Sequence, residues 1–377
     1  MAKPTIDLDM KEEVSRIFYE AAKKTWKTRR GDIGEVVEVS HDFSGLRAIN
    51  VGNLPQDTFM QLNFDGIGTK VEVAERMARH DTAAFDLLAM VCDDAVVRGA
   101  EPVLVGSILD VRSLGDDNHD YLKFVRQLAR GYVAAAKAAN VAIVNGEVAE
   151  LGSRIHGHGE FNYNWGAGLV WFARKSRMFT GKEIQPGDAV VALQEKGFRS
   201  NGLTKVRSIL EESYGSEWHE TPDDDSTLGE SVLEPSKIYS GTVIRMIGGV
   251  RTEPMAEVHG VVHVTGGGIP GKLGRVLKPS GYGATLDNLF EPCDLMIHCQ
   301  ELTEHGSDVG PVSDKEAYSR WNMGQGMLVI TPKPDEVIAI AQGHDIGAKV
   351  AGKITRRTGI RIKSKGYMSM DKYLSFK

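Results

Sequence analysis

Residues 63–70 read NFDGIGTK, and the architecture turns on how they are taken. A run with apolar character, FMQLNF (59–64), leads into Asp65, two spaced glycines, Gly66 and Gly68, and then Thr69 and Lys70. The run predicts a strand, and the glycines release the backbone where it ends. One reading gives each residue a task. Asp65 holds a metal ion, the glycines let a phosphate approach the backbone, and Lys70 supplies positive charge.

Helices and strands alternate on both sides of this stretch. Residues 9–29 read as a helix with a basic end, and 33–64 as strand-rich. FDLLAMVCDDAVVRGA (85–100) reads as an apolar helix and PVLVGSILDV (102–111) as a buried strand. Residues 121–140 read as a helix capped at Asn140. VAIVNGE is a strand running into a loop, and WGAGLVWFAR another strand. The interval 174–188 is polar and carries Pro-Gly-Asp, a turn signal. The pattern then restarts with AVVAL, the loop QEKGFRSNG, the helix LTKVRSILEES and a long acidic loop, HETPDDDSTLGE. VHGVVHVT, MGQGMLVIT and GAKVAGKI are later strands. The expectation is an α/β (α+β) chain of two domains, 1–180 and 181–377.

Composition bounds the function. The hydrophobic share is 41% and the charged share 25%, ordinary for a globular protein. No apolar run nears the ~20 residues that span a bilayer, so no membrane role is expected. The N-terminus lacks the apolar core of a signal peptide. Three cysteines are too few for a disulfide framework, and a cytoplasmic location is the simplest. Net charge of −6 argues against nucleic acid as a partner but permits a local pocket for anions.

Within the apolar helix, Asp86 and Asp93 lie seven apart on nearly one face, and Asp94 about a quarter-turn away. Carboxylates there are costly unless compensated. Either they meet Arg98 or solvent, or they share a magnesium ion with Asp65. Glu147, in NGEVAE, adds another carboxylate beyond a strand, where open α/β sheets bind ligands. HGHGE (156–160) offers His156 and His158, but no third nitrogen ligand sits at a telling spacing. Its glycines favour a mobile loop over the substrate. GGGIPGKL (266–273) mimics a phosphate loop, yet Leu273 stands where Ser or Thr would bind magnesium, and Pro270 has no N–H. Glycine amides at a helix start still suit an anion. Arg199, Ser200 and Asn201 suit a phosphate or an amide, or form a capped turn before the next helix.

Taken in order, DGIGTK, HDTAAFDLLAMVCDDAVVRGAEP, NGEVAE, FRSNGLTKVRSIL, HVTGGGIPGKLGRVL and WNMGQGMLVI resemble the aminoimidazole ribonucleotide synthetase (phosphoribosylformylglycinamidine cyclo-ligase) family. The resemblance runs from about residue 60 to about 355. It implies a homodimer whose N-terminal sheets form a shared barrel, with a C-terminal α/β layer domain. It implies ATP and Mg2+ as cofactors and a phosphorylated small-molecule substrate, formylglycinamidine ribonucleotide, closed to aminoimidazole ribonucleotide in purine biosynthesis. Carried over by residue, Asp65, Asp94 and Glu147 bind metal. Gly66, Gly68, Thr69, Lys70, His80 and Asp81 contact the nucleotide. Ser200, Asn201, Gly266, Gly267 and Gly268 contact the substrate, and Asp65, Lys70 and Arg199 are catalytic. The wider superfamily implies the alternatives: ATP-dependent phosphorylation of another small acceptor, or a catalytically silent ATP-binding subunit. Three features depart from the family pattern. Few glycines follow the basic run 23–30, Arg199 stands where histidine is usual, and the loop after Glu147 is longer and carries histidines.

Overall fold

The computed structural model describes residues 8–38, 47–116, 119–304 and 306–377. The expected strands of 33–64 fall partly outside these residues, at 39–46. The first half runs α1 (Leu8–Trp26), β1 (Glu35–Glu38), β2 (Arg47–Asn50), β3 (Thr58–Gly66), α2 (Lys70–Arg76), α3 (Ala83–Val96), β4 (Glu101–Val111), β5 (Gly115–Asp116), β6 (His119–Asp120), α4 (Leu122–Ala139), β7 (Ala142–Glu150) and β8 (Tyr163–Arg174). Four strands form a sheet in the order β3-β8-β4-β7. β8 is antiparallel to both its neighbours, and β4 and β7 are parallel. The segment NGE continues β7 to Glu150 rather than forming a loop.

The helices α1, α3 and α4 cover one face of this sheet. Twelve residues of α3 are buried, which follows from its apolar composition on every side. Asn140 ends α4 in the left-handed conformation, φ 55°, with its N–H on the Ala136 carbonyl. The other face is open. Met60, Leu62, Phe64 and Ile108 stand exposed on it, Phe64 at 73%. Leu62, Phe64 and Ile108, together with Leu104, Val144 and Val170, line a concavity of about 720 Å³.

The second half runs β9 (Ala189–Gln194), α5 (Leu203–Tyr214), β10 (Pro222–Asp223), β11 (Ser226–Thr227), α6 (Leu228–Val232), α7 (Ser240–Ile247), β12 (Gly260–His263), α8 (Gly268–Leu277), β13 (Gly283–Leu286), α9 (Asp294–Leu302), α10 (Asp314–Arg320), β14 (Gln325–Thr331), α11 (Pro334–Gln342), β15 (Ala348–Thr355), β16 (Ile360–Lys363) and β17 (Tyr373–Phe376). Seven strands order as β12-β14-β9-β15-β13-β16-β17, antiparallel except at β13–β16. Both faces are covered. Val190, Ala192, Leu328 and Ile330 face the core beneath α5 and α8, while Val191, Leu193, Met327 and Val329 face α7 and α11. Period-two alternation along continuous apolar strands gives this three-layer arrangement. The acidic loop proves to be the β10–β11 hairpin and α6, whose Thr227 and Glu230 form a reciprocal capping box.

Val96 of α3 joins the core around α7, so the halves pack directly on each other. Among the described residues no helix is long and apolar enough to cross a membrane.

Candidate functional site

Three loops meet where the halves face each other. In the first, β3 ends at Asp65 and Gly66, and Gly68 (φ 69°) turns the chain into α2. In the second, Ser200 and Asn201 precede α5. In the third, Gly267 (φ 94°) and Gly268 (φ 58°) open α8. Gly68 lies against the Ser200 carbonyl: a Cβ there would sit 3.8 Å from it. One on Gly266 would sit 3.6 Å from the Asn201 amide nitrogen. Thr69 and Thr204 hydroxyls stand 3.5 Å apart. Ser200 Oγ and Asn201 Oδ1 are buried with no hydrogen-bond partner among the described residues. Unsatisfied buried polar atoms are costly, so their presence at a loop junction points to a ligand.

Asp65 and Asp94 belong to the same cleft. Asp65 is half-buried, and its Oδ1 accepts the Gly66 N–H at 2.7 Å. Burial, and then the charge of Asp94, raise its carboxyl above the ordinary value, against the pull of the Gly66 amide and Lys272. Asp94 accepts from His263 Nδ1 at 2.6 Å. Burial pushes Asp94 up, but the His263 hydrogen bond and the charges of Lys272 and Arg199 outweigh it, and its carboxyl falls below the usual value.

The three acids of α3 are all answered, each from a different place. Asp86 pairs with Lys70 at 2.9 Å, with both side chains fully buried. Asp93 takes Arg199 on Oδ2 at 3.0 Å and the Tyr239 and Ser240 amides on Oδ1 at 2.9 and 2.8 Å. Asp94 meets His263. Arg98 answers none of them.

Arg199 reaches further. Its Nη1 donates to Glu195 at 2.8 Å, and its Nη2 lies 2.8 Å from His263 Nε2. A guanidinium only donates, so Nε2 accepts and the ring proton sits on Nδ1, facing Asp94. Burial holds His263 down at about 4, so the ring is neutral near pH 7.

This geometry revises several expectations. Lys70 does not face the cleft. Its ammonium is spent on Asp86 and the carbonyls of Phe198 and Glu234, at 2.9, 2.9 and 2.5 Å. Arg199 is buried as the hub of an ion-pair network rather than presented to substrate. His80 is 1% exposed and caged by Phe124, Phe161 and Tyr163. It and Asp81 stand at the opposite end of α3 from Asp94, about 20 Å away along the helix. Asp81 pairs instead with Arg79, at 3.6 Å.

Glu147 is also apart. The register aligns Gly66, Gly166, Ile108 and Glu147 across the sheet, so three strand spacings, about 14 Å, separate β3 from β7. Asp65 aligns with buried Ala167, on the helix side, whereas Glu147 shares its row with exposed Ile108.

The structure gathers Asp65, Gly66, Gly68, Thr69, Asp94, Ser200, Asn201 and Gly266 to Gly268. It adds two residues that the sequence reading passed over, His263 and Lys272. Lys272 occupies the lysine position of the phosphate-loop mimic. His263 is a polar residue ending an apolar strand just before glycines. Both were visible as departures from their surroundings.

The comparisons agree with this architecture. Residues 48–164 match the family model "AIR synthase related protein, N-terminal domain", and residues 185–365 match its C-terminal domain. The phosphoribosylformylglycinamidine cyclo-ligase of Pyrococcus furiosus is 30% identical over 372 residues, spanning 97% of this chain and 98% of that one. That of Pyrococcus horikoshii is 32% identical over 339 residues, 90% of each chain. Among solved structures, HypE of E. coli, a hydrogenase maturation protein, superposes with a TM-score of 0.58 at 14% identity, covering 97% of this chain and 96% of that one. T. maritima PurL complexed with AMPPCP superposes at 0.51 and 13% identity, covering 97% of this chain and 50% of that one. At such identities these two structures speak for the fold alone. With both domains matched and a relative at 30% identity along nearly the whole chain, the protein belongs to the AIR synthase related protein family.

Proposed function

We propose that this chain closes formylglycinamidine ribonucleotide to aminoimidazole ribonucleotide, with ATP cleaved to ADP and phosphate. The observation that carries the reading is the junction of three loops around Asp65 and Asp94, with the partnerless polar atoms of Ser200 and Asn201 inside it. The near full-length likeness to cyclo-ligases supplies the reaction. We set the boundary between the domains at 180/181, between the two sheets.

The γ-phosphoryl group passes to the formyl-amide oxygen, turning a poor leaving group into a good one. The ribose-bearing nitrogen then attacks that carbon, and phosphate departs. Such transfer asks for positioning and charge neutralisation rather than a protein nucleophile. Asp65 and Asp94 fit a magnesium ion: they are hard oxygen donors, brought close enough to raise the pKa of one. Bound there, the ion would neutralise phosphate oxygens. Lys272 adds positive charge beside them. The amides opening α8 suit the substrate's phosphate. Ser200 and Asn201 suit its amidine and formyl groups. Arg199 holds His263, and His263 in turn holds Asp94. Lys70, His80 and Asp81 carry no part of this reading.

Glu147 enters it only through a second copy. The first sheet exposes Met60, Leu62, Phe64 and Ile108 together on its open face, the kind of apolar patch that marks an interaction surface. Pairing two such sheets into a barrel, β3 of one beside β7 of the other, would bring Glu147 of the partner subunit towards Asp65. The enzyme we propose is thus a cytoplasmic homodimer with shared sites.

The test is turnover by purified protein with ATP, Mg2+ and formylglycinamidine ribonucleotide. The expected result is ADP release strictly dependent on that substrate, matched by an aminoimidazole detected through diazo coupling. ADP release with another acceptor, or none with any, overturns the proposal.

A further inference from the structure

The HGHGE loop acquires partners that its own sequence neighbourhood lacks. Among the described residues, His158, Glu217 and His219 bring ligand atoms within 4.8 Å of one another. His158 comes from the first half of the chain and the other two from the second. The His158 and His219 rings meet edge to face at 5.6 Å between centroids, and Glu217 Oε2 lies 3.8 Å from His219 Nε2.

Each arm is held independently. The loop is not slack, contrary to the expectation from its glycines. Buried Glu75 accepts the N–H of His158 at 2.8 Å and of Tyr163 at 3.0 Å, and Asn162 donates to the His158 carbonyl at 2.7 Å. Gly157 is required there, because the Glu75 carboxylate fills the space a Cβ would take. On the other side, Glu217 and His219 flank Trp218, Glu217 as the cap of a short turn (Trp218–Glu220) and His219 within it. Trp218 is fully buried, with the Arg76 guanidinium over its ring at 5.7 Å. The charge of Arg76, which opposes a nearby cation, is already engaged by Glu72 at 3.1 Å.

His219 is 4% exposed. Its Nε2 is the ring atom that faces Glu217, and its Nδ1 has no hydrogen-bond partner among the described residues. A buried imidazole left unpaired this way is costly.

We propose that His158, Glu217 and His219 form a binding site for a borderline divalent transition-metal ion of the zinc type. Two imidazoles and a carboxylate suit zinc or cobalt, whereas magnesium and calcium prefer oxygen donors throughout. Ligands at about 2.1 Å from one ion lie about 3.4 Å apart in tetrahedral geometry. Closing from at most 4.8 Å asks for about an ångström of side-chain movement, which exposed Glu217 and half-buried His158 can share. Three protein ligands leave a fourth position for water. The ion would clamp the loop 156–160 to the second half at the far end of α2, about one short helix from Thr69 in the cleft.

The test uses the full chain, stripped with a chelator and titrated with zinc chloride by calorimetry. Cobalt(II) binding is followed in parallel by visible absorption. One equivalent of zinc is expected, with a cobalt spectrum of low coordination number. His158→Gln and Glu217→Gln should each weaken zinc binding at least tenfold, since even partners that merely orient ligands cost 10–100-fold. His156→Gln should change it less than tenfold. Both ligand variants should keep the wild-type circular dichroism and metal-free unfolding midpoint, because neither group is buried. The absence of stoichiometric binding to wild type overturns the site. So does a loss below tenfold in either ligand variant, or one of tenfold or more in His156→Gln. Because no arm reads turnover, the result stands apart from that of the proposed reaction.

Discussion

Replacing Lys70 by methionine separates a structural lysine from a phosphate-binding one. The ammonium is fully buried, bonded to Asp86 and to the carbonyls of Phe198 and Glu234. Among the described residues, Lys70→Met leaves Asp86 with one neutral donor, the Ser236 hydroxyl at 2.5 Å, and its Oδ2 already lacks a partner. Breaking a buried pair from one side costs about 3–5 kcal/mol. Orphaning two carbonyls adds to that, though not additively. Against a typical total of about 5–15 kcal/mol, the variant should unfold at a clearly lower urea concentration. The double variant Lys70→Met/Asp86→Leu removes the stranded charge and should recover a large part of the loss. The measurement is urea unfolding at 25 °C for wild type, both single variants and the double, alongside ATP turnover at low temperature where all remain folded. A Lys70→Met protein of wild-type stability whose turnover falls a hundredfold would refute the buried-pair account and return Lys70 to the phosphates.

Asp65→Asn and Asp94→Asn should each lower turnover by about 100-fold or more with the fold intact, checked by steady-state rates over a magnesium titration and by circular dichroism. If Glu147 acts across a dimer, mixing inactive Asp65→Asn with inactive Glu147→Gln should restore about a quarter of wild-type activity, because half the dimers are mixed and each holds one complete site. No recovery after subunit exchange would place both residues in one chain's site. Phe64→Glu puts a charge on the open sheet face and should give monomers by analytical ultracentrifugation, with activity lost in step. His80 titrates at about 4 in the fold, pushed down from 6.5 by burial. Between those values the unfolded chain binds the proton first, so stability is complete above pH 6.5 and declines as pH falls towards 4. The span is worth about 3 kcal/mol, and His80→Phe should remove that part of the acid sensitivity in urea titrations at stepped pH.

What the sequence made legible follows the physics of each signal. Strong periodicity and glycine-proline punctuation marked α3, α4, β4 and β8, because those elements bury apolar faces that repeat. The loop at 65–69 and the glycines opening α8 were legible as turns, because glycine marks locally where the backbone takes a positive φ. Pairings across the chain were not. Nothing near Lys70 says that it will meet Asp86 and the carbonyl of residue 198 inside the core, and a lysine beside glycines looks like a phosphate ligand. Arg199 attracts the same reading, yet Asp93 and Glu195 draw it inward. The extent of β7 was missed because NGE carries loop-like residues, while the parallel ladder to β4 holds it extended. Glu147 looked like a neighbour of Asp65 because strand order is silent in a linear sequence.

The network around Arg199 constrains how this chain can be recombined. Asp93 and Asp94 belong to the N-terminal half, whereas Glu195, Arg199 and His263 belong to the C-terminal half. A chimera that took its C-terminal half from a relative with histidine at the Arg199 position would inherit compatible strands and helices. It would also leave Asp93 facing a smaller, titratable partner in the middle of the graft. Such hybrids should assemble only when residues 93 and 199 are exchanged together, so the two positions are expected to change as a coupled pair among natural sequences.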